Sequence, residues 1–369
     1  MREKSTCRLK LSTLTYIQGA DMEIKIYNRD LTLKGIIEDH TSLLWHRKYY
    51  EPGTFELTAP ITEHNVNVLT PESIIYKSNS IEAGVIESLK FEESGNIKKI
   101  VAKGRYLSSY FERRLIKSTV FFKGKVKDAF PFLIRAATPI PNIEVGELKG
   151  NDKEVTFQAT YKNLLTYMQK LSKYSGIGFK LIPDLKSRKM IFETYEGKNR
   201  TFNQRENSRV IFSESYENLG KCIYSYSSKL YKNVCYVGGE GEGAARKIIK
   251  VGETVTGFDL REVFFNAASV KSNGLTALEY ENALKQKGNE KLEACAEVDS
   301  FEPSVDPEGN FLYKKDYDLG DIIVVQKESW GMKKDMRITE IQEIYEHEKM
   351  IIEPTFGNPV PEKIDWSDK

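Results

Sequence analysis

The chain has 369 residues, with 55 Lys and Arg against 53 Asp and Glu, 29% charged residues and 40% hydrophobic ones. That length accommodates about two to four domains. The near-neutral total excludes a generally basic nucleic-acid coat, and the apolar content, with 20 Tyr and 18 Phe, excludes intrinsic disorder.

Residues 1–21 read as an extension with little structure. Met1 to Lys4 are charged, but no apolar stretch follows, so a secretory signal is not expected. No run approaches the ~18–20 apolar residues of a membrane-spanning segment. From Met22 the pattern is one of short strands and turns. Ile24 and Ile26 alternate with Glu23 and Lys25, the turn Asn28-Arg29-Asp30 follows, and Leu31 and Leu33 alternate with Thr32 and Lys34. Strands at 43–45 and 55–57 flank Glu51-Pro52-Gly53, where Pro presets φ and Gly accepts φ > 0. Strands at 74–76, 83–91 and 97–101 are separated by Lys77-Ser78-Asn79-Ser80 and Ser94-Gly95-Asn96. This spacing predicts a small antiparallel barrel or sandwich over 22–115.

The pattern changes over 116–204. Helices are expected at 125–138 and 161–175, the second with an apolar stripe of Leu164, Leu165, Met168 and Leu171 and with Gly176 as its C-cap. Strands at 177–182 and 188–194 make this part α+β. Strand patterns resume over 205–357, at 208–214, 221–229, 233–237 and 246–251. A long helix at 275–296 carries the favourable pair Glu281 and Lys285, and Gly288 costs its middle about 1 kcal/mol relative to Ala. The last strands are at 321–327, 335–345 and 349–353. The apolar phase slips between Ile338 and Ile341, as a β-bulge would make it. Residues 358–369 read as a frayed tail. The expected fold is therefore α+β and mostly β: two small antiparallel β-barrel-like domains, an α+β insertion and a long helix near 275–296.

Few residues suggest chemistry. Cys7, Cys222, Cys235 and Cys295 fit no metal or disulfide framework, which points to a reducing compartment, and His40, His46, His64 and His347 are scattered. Gly239, Gly241 and Ala244, within Val237–Ala244, fit the loose dinucleotide pattern. However, Glu240 and Glu242 would repel a pyrophosphate, and a strand rather than a helix follows. The two glutamates are also a poor glycosidase pair, because catalytic carboxylates are held about 5–10 Å apart on rigid elements. A flexible loop or an interface segment is the simpler reading. Over 103–127, Lys103, Arg105, Arg113, Arg114, Lys117, Lys123, Lys125 and Lys127 face only Glu112, a net +7. Tyr106, Tyr110, Phe111, Phe121 and Phe122 are interleaved, which is the footprint of single-strand binding. A solvated face over core aromatics explains it more simply, and an acidic protein partner is a third possibility. Trp45-His46-Arg47-Lys48-Tyr49-Tyr50 reads likewise as core aromatics with solvated charges between them. No catalytic, cofactor-binding or metal residue is assigned.

The stretch Leu44-Trp45-His46-Arg47-Lys48-Tyr49-Tyr50-Glu51-Pro52-Gly53-Thr54-Phe55-Glu56-Leu57 resembles the opening hairpin of siphophage and prophage tail hub proteins, the tail-associated or Gp37-like family. Tyr236 to Gly243 with Arg246, Tyr317-Asp318-Leu319-Gly320-Asp321, Arg337-Ile338-Thr339-Glu340-Ile341 and Pro354-Thr355-Phe356-Gly357 are similar to other parts of that family. The resemblance, over 22–357, implies a non-enzymatic structural part similar to the baseplate hub of contractile tails. It implies a homotrimer at the virion tail tip, assembled in the bacterial host cytoplasm, that closes or lines the channel for DNA. The implied partners are the distal tail ring protein, the tape-measure protein and receptor-binding or cell-wall-degrading tail proteins. Some relatives carry a C-terminal peptidoglycan hydrolase or receptor-binding extension; no room for one is expected before Lys369, so a separate protein is expected to supply cell-wall cutting or receptor binding. On this reading Gly238, Gly239, Glu240, Gly241, Glu242, Gly243, Arg246, Arg113, Arg114 and Lys117 are candidate interface residues, with the 103–127 cluster turned away from the lumen or into an intersubunit contact. The alternatives are a host-surface carbohydrate-binding tail component, which requires Tyr49, Tyr50 and Trp330 to form an exposed platform, and a cell-wall hydrolase.

Overall fold

The computed structural model describes residues 22–358 apart from 96, 306–308 and 347–348. The expected extension at 1–21, the tail beyond 358 and His347 lie outside the described residues. The chain opens with the hairpin β1 (Ile24–Tyr27) and β2 (Leu33–Ile37), followed by β3 (Ser42–Lys48) and β4 (Thr54–Pro60), which flank the Pro-Gly turn. A short helix, α1 (Glu63–Val68), comes next, and its first turn is capped by the Thr62 hydroxyl accepting from the Asn65 N–H. It is too brief to show a helical period. Then come β5 (Ile74–Lys77), β6 (Ala83–Ser94) and β7 (Ile97–Tyr106). Leu31, expected in a strand, instead sits in the turn at φ 62°. That conformation costs a leucine about 1–2 kcal/mol, and its side chain is buried in return.

A 3₁₀ turn, Leu107–Arg113, leads to β8 (Leu115–Ile116), β9 (Val120–Lys125), α2 (Val126–Ala136), β10 (Ile143–Leu148), β11 (Glu154–Ala159) and β12 (Lys162–Asn163). Helix α3 (Leu164–Ser175) follows, then β13 (Gly178–Asp184) and β14 (Lys189–Tyr195). Helix α3 starts at Leu164, where its apolar stripe begins and later than the expected 161, because the Asn163 side chain caps it by accepting from the Thr166 N–H. Gly176 ends it at φ 75°, as a left-handed cap. Strands β9, β10 and β11 were not anticipated. They are short, and β10 carries mixed, mostly exposed side chains.

The remaining elements are β15 (Ile211–Ser213), β16 (Cys222–Ser227), β17 (Val234–Gly238), β18 (Ile248–Gly252), β19 (Glu262–Asn266), α4 (Ala277–Ala294), β20 (Val298–Pro303), β21 (Ile322–Lys327), β22 (Met332–Glu346) and β23 (Lys349–Asn358). Helix α4 is fixed by a capping box between Thr276 and Glu279. Its glycine is explained by packing: a Cβ on Gly288 would lie 2.3 Å from Val251 and 2.7 Å from Val237. Glycine therefore lets the helix approach the sheet β18-β17-β19. The expected bulge is present, as a register shift between Ile338 and Glu340 in the β22–β23 ladder.

The mostly β expectation holds, but among the described residues none of the sheets closes into a barrel. The largest has 13 strands, with the main path β16-β20-β23-β22-β3-β4-β7-β6-β5-β1-β2. A barrel requires the outer strands of one set to pair with each other. Here β3 pairs instead with β22, from Lys48 opposite Glu340 to Ser42 opposite Glu346. Strands from the two ends of the chain thus share one open sheet. Smaller sheets pair β10-β14-β13, β9 with β11, β8 with β12, and β18-β17-β19.

Candidate functional site

The stretches most distant in sequence meet around β3. Trp45, Arg47 and Tyr49 point to one face of the strand, because side chains alternate, and all three are buried. Arg47 is therefore not a solvated charge between core aromatics, and that expectation is corrected. Its guanidinium donates to Asp318 Oδ1 at 2.6 Å, to the Tyr313 hydroxyl at 2.8 Å and to Glu82 Oε2 at 3.3 Å. Tyr313 donates in turn to Glu343 at 2.9 Å. Glu343 is fully buried, pairs with the equally buried Lys77, and lies 3.2 Å from Lys314. The Lys77 ammonium also reaches the Tyr345 hydroxyl at 2.8 Å, and that hydroxyl donates to Glu343 at 2.6 Å.

The two members of the pair are tuned differently. Burial raises the Glu343 carboxyl, but Lys77, Lys314 and the Lys77 and Tyr345 hydrogen bonds outweigh it and hold the group at about 2. Lys77 has one carboxylate for company and faces Lys314 and Arg47, so burial wins and its ammonium falls to about 8. Both are charged at neutral pH. Such a pair is costly to break, because the surviving charge is left in a low-dielectric interior.

The same junction engages Tyr49. Its ring occupies the space a Cβ on Gly320 would need, 2.3 Å away, and Gly320 has φ +93°. Its hydroxyl donates to Gly176 O at 2.9 Å and accepts from the Gly197 N–H at 3.3 Å. Asp321 accepts from the Arg200 guanidinium at 2.5 Å and from the Lys198 N–H at 2.7 Å. Arg337 donates to Gly320 O at 2.6 Å, and His46 lies 2.7 Å from Glu340. The Thr339 hydroxyl donates to Gly357 O at 2.7 Å. Thus the motifs Trp45–Gly53, Tyr317–Asp321, Arg337–Ile341 and Pro354–Gly357 interlock in space. Reasoning from the sequence missed the network. The available signal was a charge in the apolar phase of a strand: Arg47 with Trp45 and Tyr49, Lys77 with Ile75, and Glu343 with Ile341 and Tyr345.

The glycine stretch lies elsewhere, joining β17 to β18. It is not a free flexible loop. Arg246 turns back over Gly238, donating to Gly238 O at 2.9 Å, to Gly239 O at 3.1 Å and to the Asn266 side chain. The Glu240 N–H donates to the Tyr280 hydroxyl at 2.7 Å. The Glu240 carboxylate accepts from the Ser272 hydroxyl at 2.6 Å and its N–H at 2.8 Å, and lies 3.4 Å from Lys271. The Ser272 bonds, first that of its hydroxyl, hold this carboxyl below its usual range. Gly241 and Gly243 take φ +94° and +53°, the left-handed region, and Glu242 is exposed at the tip. A single 3₁₀ turn, Gly243–Ala245, and then strand β18 follow, so no α-helix N-terminus is offered to a phosphate.

Five of the eight basic residues of the stretch are paired with carboxylates from other elements. Arg113 forms a fork with Glu72 at 2.8 and 3.0 Å, Arg105 one with Glu87 at 2.9 Å on both arms, and Lys103 pairs with Glu56 at 2.7 Å. Asp152 lies 2.9 Å from Lys125 and 3.6 Å from Lys127. Tyr106, Tyr110 and Phe111 are buried and Phe122 stacks on Phe157, so the aromatics serve a core rather than a stacking platform. Arg114 is half-buried and donates to Arg113 O, and Lys117 is exposed. Among the described residues neither they nor Arg113 share a hydrogen bond or ion pair with the glycine loop. Tyr49 is buried and Trp330 packs edge-on against Phe301, so the platform of Tyr49, Tyr50 and Trp330 is not assembled. Among the described residues no group of three or more His, Cys, Asp and Glu could hold a metal, and no helix is long and apolar enough to cross a membrane. The Cys235 thiol is buried and pushed up to about 11, which makes it a poor nucleophile.

The family model described as Siphovirus ReqiPepy6 Gp37-like protein matches residues 23–358. No curated protein sequence is a detectable relative. Among solved structures, the tail protein from Neisseria meningitidis MC58 superposes with a TM-score of 0.60 at 11% identity, covering 91% of this chain and 96% of that one. Prophage tail protein gp18 from Listeria monocytogenes EGD-e gives 0.57 at 15% identity, with 94% and 97% covered. The prophage MuSo2 43 kDa tail protein from Shewanella oneidensis gives 0.57 at 11% identity, with 91% and 98% covered. At these identities the likeness is one of fold.

Proposed function

The chain belongs to the siphovirus ReqiPepy6 Gp37-like family, and from that premise we propose that it is a structural component of the phage or prophage tail tip, the hub below the tail tube. In this role three copies form a platform. It joins the distal tail ring protein to the tip components and encloses the exit used by the tape-measure protein and DNA. Receptor-binding or cell-wall-degrading tail proteins attach to it. Its work is mechanical rather than enzymatic.

The observation that carries the reading is the junction at β3 and β22. A part that transmits load between neighbours needs its chain ends tied together, and here strands from the two ends share one sheet, closed over by the Arg47–Asp318 and Lys77–Glu343 pairs. The edges β2 and β16, without a further strand partner among the described residues, favour assembly, since uncovered edges invite pairing with another chain. The tethered glycine loop, with Glu242 and Gly243 at its tip, and Arg113, Arg114 and Lys117 are proposed as contact points.

The test is mass by light scattering, alone and with the neighbouring tail ring protein. A trimer, free or on the ring, is the expected result. A chain that stays monomeric with the ring protein present, or that clears purified cell walls in a zymogram, refutes the reading.

A further inference from the structure

The three-stranded sheet β18-β17-β19 leaves one edge of β19 without a strand partner among the described residues. The Val234 N–H donates to Arg261 O at 3.3 Å and the Ala267 N–H to Gly238 O at 2.8 Å. By the period of two, the odd-numbered residues of β19 turn their backbone groups to β17. The N–H and C=O groups of Glu262, Phe264 and Asn266 therefore face outward.

That edge opens into a groove of about 560 Å³, within the usual range for ligand clefts. Four consecutive residues, Phe264 to Ala267, line it. A sheet face contributes every second residue and an edge contributes each in turn, so the backbone itself is presented. The opposite wall is Lys162, in β12 just before α3, with Thr166 and Lys170 one turn apart on the exposed side of α3. Lys287, Glu290 and Lys291 of α4 line it as well. Lys287 donates to the Tyr167 hydroxyl at 2.7 Å and pairs with Glu290 at 2.9 Å, which ties α3 to α4 and neutralises the groove's one carboxylate among those lining residues. Lys162 and Lys170 pair with no carboxylate among the described residues.

We propose that this groove receives an extended, acidic segment of a partner protein, which adds to β19 as a fourth strand while its carboxylates meet Lys162 and Lys170. An edge strand facing a helix across a cleft supplies both halves of strand-addition recognition: main-chain hydrogen bonds for affinity and side-chain selection by the opposite wall. Charge complementarity fixes the occupant as acidic. A basic segment would meet Lys162 and Lys170, and an uncharged one would leave them uncompensated on desolvation. The inference stands apart from the hub reading, since it needs only the edge and the lysines.

The test is fluorescence polarisation with the full chain and a labelled peptide of about nine residues that alternates glutamate and valine. Saturable binding is expected. It weakens by about tenfold or more in Lys162→Glu/Lys170→Glu, and again when proline replaces the peptide's central residue. Amide exchange at Glu262, Phe264 and Asn266 slows on binding. Phe264→Pro blocks the edge from the protein's side while sparing the ladder to β17, whose bonds do not use that N–H. Should this variant not fold, the lysine pair and the proline peptide decide the matter. Absence of saturable binding, or binding indifferent to proline, overturns the proposal. Tighter binding of an oligothymidylate of equal charge does so too, because it makes the groove a phosphate site.

Discussion

Replacing Lys77 by Met is the sharpest probe of the junction. Methionine fills a similar volume, so packing against Trp45 and the Tyr345 ring is largely kept, but the ammonium that pairs with Glu343 is lost. Glu343 is then fully buried with Lys314 at 3.2 Å as its remaining cation and with the Tyr313 and Tyr345 hydroxyls. Breaking a buried pair from one side typically costs about 3–5 kcal/mol, and because Lys314 compensates in part the lower end, about 3 kcal/mol, is expected. Replacing both partners, Lys77→Met with Glu343→Leu, removes the stranded charge and recovers much of that loss. The assay is urea unfolding at pH 7, with the midpoint compared at constant slope. A loss below about 1 kcal/mol for Lys77→Met, the value of an exposed ion pair, refutes the claim that this cluster is a buried ionic core. So does a double variant that is no better than the single.

The same cluster sets an acid limit. Against the effect of burial, Lys77, Lys314 and the hydrogen bonds from Lys77 and Tyr345 hold the Glu343 carboxyl at about 2 in the folded state, below its ordinary 4.5. The unfolded state therefore binds the proton first as the pH falls, and the stability this group supplies is fully present above about 4.5 and lost down to about 2. Glu343→Gln should flatten that part of the stability curve, and an unchanged acid limb would count against the assignment. Gly288→Ala should destabilise by about 1–3 kcal/mol through overpacking against Val251 and Val237, despite alanine's higher helix propensity. A raised Tm would show that α4 can move away. Arg246→Ala removes three hydrogen bonds from the glycine loop. Faster amide exchange over 239–245 with a near-normal Tm is expected, and unchanged exchange would show that Tyr280 and Ser272 hold the loop without it.

The helices at 125–138, 161–175 and 275–296 were legible because a period near 3.6 and a cap such as Gly176 are properties of neighbouring residues; the caps Asn163 and Thr276, which set where two of them start, were read as lying inside the helices. The bulge after Ile338 was legible for the same reason: a phase slip is written in one strand. The basic stretch misled because charge was counted along the chain, whereas Glu56, Glu72, Glu87 and Asp152 reach it from other elements. Arg47 misled because a charge was assigned to solvent by type, although its phase with Trp45 and Tyr49 pointed inward.

By itself the sequence determined local matters: strand and helix periods, turn and cap chemistry, the absence of a membrane-spanning apolar run, and the motifs that mark the family. Tertiary structure alone decided that the sheets stay open, that β22 pairs with β3, and that Arg47 meets Asp318 across 271 positions of chain. The reason is physical. Periodicity and capping depend on groups a few residues apart, whereas sheet order and ion pairing depend on which distant segments share a low-dielectric interior, and the alternation within one strand carries no label for its partner.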